Sequence, residues 1–274
     1  MKITGKTKIV GIIGYPVEHS LSPFMHNAAF ELLEIDYCYV PFLVHPERLE
    51  AAVQSVRALN LCGVNITVPH KEKVMRFLDK VDDEASFIGA VNTIVNSDGR
   101  LTGFNTDGRG FMRSLWESGI IVEGKDVAII GAGGAARAIG YYLAQKAETL
   151  SIYGRTTERA EKLVRDLNKI KKHVRVLRDL SSIREFQIII NATPLGLKKD
   201  DQLPCDASLL RPGQTVCDLI YRDTPLLIES SKKGCAVLNG LGMLLWQGVF
   251  AFELFTGEKP PVDAMRSALL NSAA

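Results

Sequence analysis

Short apolar runs rich in β-branched residues alternate along this chain with longer stretches of helical period, the βαβ pattern of α/β architecture with largely parallel sheets. In the first half the runs predict strands over 9–14, 36–42, 63–68, 90–96 and 101–105, with helices over 23–33, 46–59 and 70–78 between them. Ser97-Asp98-Gly99 predicts a hairpin between the last two strands. From Lys125 the pattern restarts: Val127-Ala128-Ile129-Ile130 feeds a glycine-rich turn, and a second series of strands and helices runs to about Val237. That restart marks a domain boundary. The most apolar late stretch, Leu241 to Phe255, contains Gln247 and Glu253 and is shorter than the roughly 18 residues a spanning helix needs, so it predicts a buried helix. No repeat or low-complexity tract interrupts the series, and only residues 271–274 are expected to fray.

Composition narrows the function classes. The 274 residues carry 33 Lys and Arg against 31 Asp and Glu, which excludes a polybasic nucleic-acid tail and an acidic solvating block. With 46% apolar and 23% charged residues the chain lies far from disordered, collagen-like or coiled-coil compositions, and its length fits two domains. The early apolar run Ile9 to Ile13 is too short for a signal-peptide core. Cys38, Cys62, Cys205, Cys217 and Cys235 are odd in number and form no Cys-x-x-Cys, so neither a disulfide framework nor a zinc site is expected and the compartment reads as reducing cytoplasm. His19, His26, His45, His70 and His173 lack metal-ligand spacing; each reads as a surface residue or a support for other polar groups, and no metal is expected.

Gly131-Ala132-Gly133-Gly134-Ala135-Ala136 follows a buried strand and opens a helix, matching G-x-G-x-x-A in the context a dinucleotide requires. The first glycine permits the turn, the second admits a pyrophosphate to the backbone, and Ala136 lets helix and strand approach. An NAD-preferring site carries Asp or Glu about 20 residues on. Here the second strand ends instead in Gly154-Arg155-Thr156-Thr157-Glu158-Arg159, with two guanidinium groups and a hydroxyl where a 2′-phosphate would lie, which points to NADP. Residues 155–185 hold ten Lys or Arg against five Asp or Glu; most of these charges read as a solvated helix face, and only Arg155, Thr156 and Arg159 are assigned to the cofactor.

Four segments of the first half place polar groups at the C-terminal ends of predicted strands, where open α/β sheets bind ligands. Ser20 and Ser22 offer hydroxyls to a polyhydroxylated ligand, although Ser22-Pro23 also fits a helix N-cap followed by proline. In Gly63 to Lys71, Val64, Ile66 and Val68 share one strand face while Asn65 and Thr67 share the other. Lys71 falls in the first turn of the predicted helix, where the macrodipole disfavours a cation and would lower its pKa. Asn92 adds an amide and Asp107 a carboxylate at a helix start. A lysine, a carboxylate and several amides beside a nicotinamide suit hydride transfer to or from an alcohol, because the hydroxyl proton must move with the hydride.

With these residues the chain resembles the NADP-dependent shikimate dehydrogenases of the aroE type over essentially its whole length. The motifs that carry the resemblance are Ser-Leu-Ser-Pro at 20–23, Asn-Ile-Thr-Val-Pro-His-Lys at 65–71, Gly-Ala-Val-Asn-Thr at 89–93 and Asn-Thr-Asp-Gly at 105–108. Gly-Ala-Gly-Gly-Ala at 131–135, Arg155-Thr156, Asn-Ala-Thr-Pro-Leu-Gly at 191–196 and Gly-Leu-Gly-Met-Leu at 240–244, then Gln247, complete the set. The resemblance implies an N-terminal α/β substrate-binding domain with a mostly parallel sheet (1–105), a Rossmann-like NADP-binding domain (106–237) and C-terminal helices (238–274) returning to the first domain, with the site in the cleft between domains. It implies Lys71 and Asp107 as the catalytic pair, Ser20, Ser22, Asn65, Thr67, Asn92, Tyr221 and Gln247 as substrate residues, and Thr193, Gly240 and Met243 along the nicotinamide. The implied reaction reduces 3-dehydroshikimate to shikimate on the way to chorismate and the aromatic amino acids, in a cytoplasmic monomer or homodimer whose partner is this small molecule, not a nucleic acid or a membrane. The rival readings are a quinate/shikimate dehydrogenase using NAD and a non-catalytic NADP(H)-binding regulator. The chain departs from the family pattern at Gly154, Asn239 and Trp246, where Asn, Asp and a smaller residue are usual. Gly119 and Gly240 are candidate hinges.

Overall fold

A computed structural model of the chain describes residues 2–198 and 200–273. They form two compact units, one of residues 1–106 and 245–274 and one of residues 107–244. The first unit contains β1 (Lys8–Gly14), α1 (Ser22–Leu32), β2 (Tyr37–Leu43), α2 (Leu49–Ala58), β3 (Gly63–Ile66), β4 (Lys80–Val81), α3 (Asp83–Ile88), β5 (Thr93–Ser97) and β6 (Arg100–Phe104). Its sheet runs β2-β1-β3-β5-β6-β4, parallel through β2, β1 and β3 and antiparallel at β5. Val64 and Ile66 enter an apolar core with Ile13, Val53, Val56 and Ile94, as their shared face requires. The strand ends at Ile66, so Val68, expected on that face, is exposed instead. Ser97 pairs with Arg100 across Asp98 (φ 52) and Gly99 (φ 87), the two left-handed residues a tight two-residue hairpin demands.

The second unit contains α4 (Asp107–Glu117), β7 (Asp126–Ile130), α5 (Gly134–Lys146), β8 (Thr149–Tyr153), α6 (Thr157–Leu167), β9 (Val174–Val176), β10 (Ile188–Asn191), β11 (Thr215–Asp218), α7 (Pro225–Lys232) and β12 (Ala236–Leu238). Every strand pair is parallel, in the order β12-β11-β10-β7-β8-β9. Counted from its own first strand this is 3-2-1-4-5-6, the order of the dinucleotide-binding fold, with the switch between β7 and β10. The apolar stretch forms α8 (Leu241–Thr256), and the chain ends in α9 (Val262–Ala273), which packs on α1. The tail expected to fray is thus helical through Ala273; Ala274 lies outside the described residues. No helix among the described residues is long and apolar enough to cross a membrane.

Two further expectations change. The predicted helix over 70–78 is a five-residue 3-10 helix, Lys73–Phe77, and Lys71 lies in the turn before it. So short an element carries little dipole, and the macrodipole argument for Lys71 loses its basis. His26 and His70, read as surface or supporting residues, are fully buried, which removes the surface reading for both. His26 stacks on Tyr39 with ring centroids 4.4 Å apart and an interplanar angle of 9°, flanked by Phe30, Phe252 and Phe255. Neither of its ring nitrogens has a hydrogen-bond partner among the described residues, and burial holds its pKa down at about 3.

The folded state therefore refuses a proton that the unfolded chain accepts below about pH 6.5, and stability drains away as pH falls from there towards about 3. Between about pH 7 and pH 5 this one ring costs about 2 kcal/mol. In urea titrations His26→Leu, close in volume, is expected to lose about 2 kcal/mol less than the wild type over that interval; equal losses would contradict the assignment.

Candidate functional site

In the second unit, parallel strands set all their C-terminal ends on one edge, and the order change between β7 and β10 opens a crevice there. A cleft of about 290 Å³ occupies it, lined by Gly131, Ala132 and Gly133 after β7, by Gly154, Arg155, Thr156 and Arg159 after β8, and by residues 192–195 after β10. Gly131 has φ +121, and a Cβ on it would lie 2.8 Å from the Ala192 carbonyl oxygen, so the turn closes only with glycine. Gly133 and Gly134 differ: a Cβ on either meets nothing within 4 Å. The fold does not require glycine there, whereas a ligand resting on the bare backbone at the N-terminus of α5 does, with Ala135 in the same first turn.

Thr156 is the N-cap of α6, yet its hydroxyl makes no capping bond, and Arg159 stands in the first turn, where the helix dipole disfavours a cation. Both features cost stability unless an anion sits between them. Arg155 is exposed beside them. Gly154 packs where a Cβ would come 3.2 Å from the Cβ atoms of Ala132 and Ala160, which keeps the two turns close.

On the opposite lip, Thr193 is held by Asn191, whose Oδ1 accepts from the Thr193 backbone N–H (3.0 Å) and hydroxyl (2.7 Å). Asn191 Nδ2 donates to Asp218, which also accepts from the Thr224 hydroxyl and the Ile220 N–H. Burial pushes the Asp218 carboxyl above its ordinary range, while these three donors pull the other way. Tyr221, half exposed, follows on the same loop. A Cβ on Gly240 would lie 2.3 Å from the Leu219 carbonyl oxygen, so close packing accounts for glycine there; Asn239 Oδ1 accepts from Leu241 N–H and starts α8, on whose first turn Met243 is buried. Gly119, with φ +70, ends α4: Ile120 N–H reaches Leu115 O and Gly119 N–H reaches Trp116 O, a helix-terminating pattern that explains this glycine locally. Asp107 opens α4 and is nearly buried.

In the first unit, β5 runs antiparallel to β3, and the register Asn65–Thr93–Phe104 lays three segments side by side. Asn92 therefore stands before the start of β5, not at a strand's C-terminal end as expected, and reaches the edge because β5 is reversed. Ser22 also differs from one of its two readings: it is the first residue of α1, and the N-cap position falls to Leu21, which has no polar side chain to cap with. Ser20 and Thr67 are half-buried, Thr67 N–H donating to Ile13 O and Ser20 Oγ accepting from Ser22 N–H. The Lys71 carbonyl accepts from Val91 N–H at 2.8 Å, which fastens its turn to the segment carrying Asn92.

Asn65 and Asn92 belong to a larger buried network than sequence reasoning found. Tyr39 donates to Asn65 Oδ1 (2.8 Å), Asn65 Nδ2 to Thr93 Oγ1 (3.0 Å), Thr93 to Asn92 Oδ1 (2.9 Å), Asn92 Nδ2 to Thr106 Oγ1 (2.9 Å), and Thr106 to the Gln247 carbonyl (3.0 Å). Tyr39, Thr93 and Thr106 were missed; Thr93 and Thr106 each adjoin a selected residue, and Tyr39 reads in sequence as an ordinary strand aromatic.

Residues 12–94 match the family model described as the shikimate dehydrogenase substrate binding domain, residues 117–196 that of shikimate / quinate 5-dehydrogenase, and residues 240–270 that of the shikimate 5′-dehydrogenase C-terminal domain. A shikimate dehydrogenase (NADP(+)) of Desulforamulus reducens is 47% identical, over 100% of this chain and 98% of its own. A shikimate dehydrogenase crystallised in complex with NADP+ superposes with a TM-score of 0.94 at 41% identity, over 100% of this chain and 98% of that one. The shikimate 5-dehydrogenase of Thermus thermophilus, in complex with NADP(H) and shikimate, gives 0.90 at 37%, over 97% of this chain and 100% of that one. Glycine turn, arginine rim, polar strand edge and full-length likeness agree: the chain belongs to the shikimate dehydrogenase family.

Proposed function

We propose that this chain catalyses the reversible, NADP-dependent reduction of 3-dehydroshikimate to shikimate in the cytoplasm, as a step towards chorismate and the aromatic amino acids. The observation that carries the reading is the cleft after β7, β8 and β10, where bare glycine backbone at a helix N-terminus faces a rim of Arg155, Thr156 and Arg159. Gly131, Ala132, Gly133, Gly134 and Ala135 hold the pyrophosphate through backbone N–H groups, and the rim holds the 2′-phosphate. Thr193, Gly240 and Met243 line the nicotinamide. When bound, this cofactor supplies the hydride.

The substrate is a small polyhydroxylated acid, held by Ser20, Ser22, Asn65, Thr67, Asn92, Tyr221 and Gln247. Lys71 and Asp107 are the catalytic residues. As hydride reaches the ring ketone, its oxygen becomes an alkoxide; Lys71 stabilises that charge with its ammonium and delivers the proton, and Asp107 serves as the acid partner in proton handling. In the reverse direction the same groups take the hydroxyl proton as hydride leaves. The first unit carries the substrate residues apart from Tyr221 and the second the cofactor residues. The molecule works as a monomer or homodimer and needs no nucleic acid or membrane.

Lys71→Ala is expected to lower kcat by about 10²–10⁴-fold, the usual worth of a positioned proton donor, and Asp107→Asn to act in the same direction; a loss below about tenfold for Lys71→Ala would refute its assignment. Arg155→Ala and Arg159→Ala should each raise KM for NADP about tenfold while leaving KM for NAD unchanged, since each removes a charge-assisted bond to a group NAD lacks. Initial rates with shikimate and quinate, each against NADP and NAD, test the whole reading. Shikimate with NADP should dominate; comparable rates with quinate or NAD would indicate the NAD-using quinate/shikimate enzyme, and tight NADP binding without turnover a regulator.

A further inference from the structure

The buried network of the first unit has a direction. From Tyr39 to the Gln247 carbonyl every link donates the same way, through five consecutive hydrogen bonds, and Tyr39, Asn65, Thr93, Asn92 and Thr106 are all at most 4% exposed. The direction is forced by a group that cannot reverse. Asn65 Nδ2 donates to the backbone carbonyl of Asn92 at 3.1 Å as well as to Thr93 Oγ1, and a carbonyl only accepts. Turning the Asn65 amide over would set two acceptors against each other there. Both N–H bonds of Asn65 are thereby engaged, and Oδ1, which already accepts from Tyr39, keeps one further lone pair.

Tyr39 is itself fixed at three places. Its backbone N–H and C=O pair with the Asn27 side chain at 2.8 and 2.9 Å, and its ring is stacked on His26. A phenol held this firmly, with its proton aimed at Asn65, is pre-organised to support the amide before any ligand arrives.

We propose that Tyr39 and Thr93 are positioning residues of the substrate site, which lock the Asn65 amide so that it meets the ligand as a hydrogen-bond acceptor, for a ring hydroxyl and not for the carboxylate, and which through Thr93 orient Asn92. This deepens, and rests on, the reading of the ligand as a polyhydroxylated acid. Without the phenol or the threonine hydroxyl the Asn92 carbonyl alone holds the amide, its plane swings more widely about that one bond, the acceptor is less well aimed at the hydroxyl, and substrate affinity falls.

Steady-state kinetics of the full chain with shikimate and NADP test this on Tyr39→Phe, Thr93→Val and Thr93→Ser. Tyr39→Phe and Thr93→Val should each raise KM for shikimate about three- to tenfold, the worth of one neutral hydrogen bond, with kcat within about twofold and KM for NADP unchanged. Thr93→Ser, which keeps the hydroxyl, should restore the wild-type KM. Unchanged KM for shikimate in both deletions, or no rescue by serine, would overturn the proposal. A ligand-free measurement separates it from the functional reading: hydrogen exchange of the Asn65 side-chain amide, followed by nitrogen-15 NMR, should be about tenfold or more slower in the wild type than in Thr93→Val. Fast exchange in the wild type overturns the locked amide whatever the substrate; slow exchange in a wild type that does not turn over shikimate supports the lock and removes the functional reading instead.

Discussion

Strand direction is the constraint on which the polar edge of the first unit depends. Three parallel strands deliver the ends of β1 and β3 to one edge, which brings Ser20, Ser22, Asn65 and Thr67 there. A fourth parallel strand would deliver only its own C-terminal end. Because β5 is reversed and β6 reversed again, the start of one and the end of the other arrive at the same edge, carrying Asn92 and Thr106 to either side of a single backbone line. An all-parallel sheet of this size would need two more crossover helices to collect as many side chains.

That collection creates a cost which its own members offset. Buried amides and hydroxyls without partners cost about 1–3 kcal/mol each. The sheet register places Asn65, Asn92, Thr93 and Thr106 so that each satisfies the next, and Tyr39 closes the series from β2. The second unit uses the same device around Asp218, where Asn191, Thr224 and a backbone N–H surround a carboxylate that burial alone would disfavour. In both units an edge proposed to meet ligand rests on polar groups that face inward.

The sequence made the nucleotide cleft legible because its evidence is local: a strand, a glycine turn, a helix and the arginines after the next strand all lie within about thirty residues. The elements themselves were legible where the period was long, as in α1 and α8. The placement of Lys71 in a helix was misread because His70 to Leu78 has helical spacing but is too short to propagate an α-helix, and only Lys73–Phe77 winds, as a 3-10 helix. His26 looked like any polar helix residue, since the rings that bury it come from β2 and α8, far away in the chain. Tyr39 and Thr106 were invisible for the same reason: their value lies in partners 26 and 141 positions away.

The pairing of Asn27 with Tyr39 has a consequence for association. β2 is the outer strand of its sheet, and an outer strand normally offers its N–H and C=O groups to any extended chain. Along its outward side, Tyr37 N–H is taken by Ile35 O, both groups of Tyr39 by one asparagine, and Pro41 has no N–H to give. A second chain approaching along this border would find the ladder interrupted at Tyr37, Tyr39 and Pro41. The same asparagine that steadies a phenol beside the proposed substrate residues also blunts this border of the sheet.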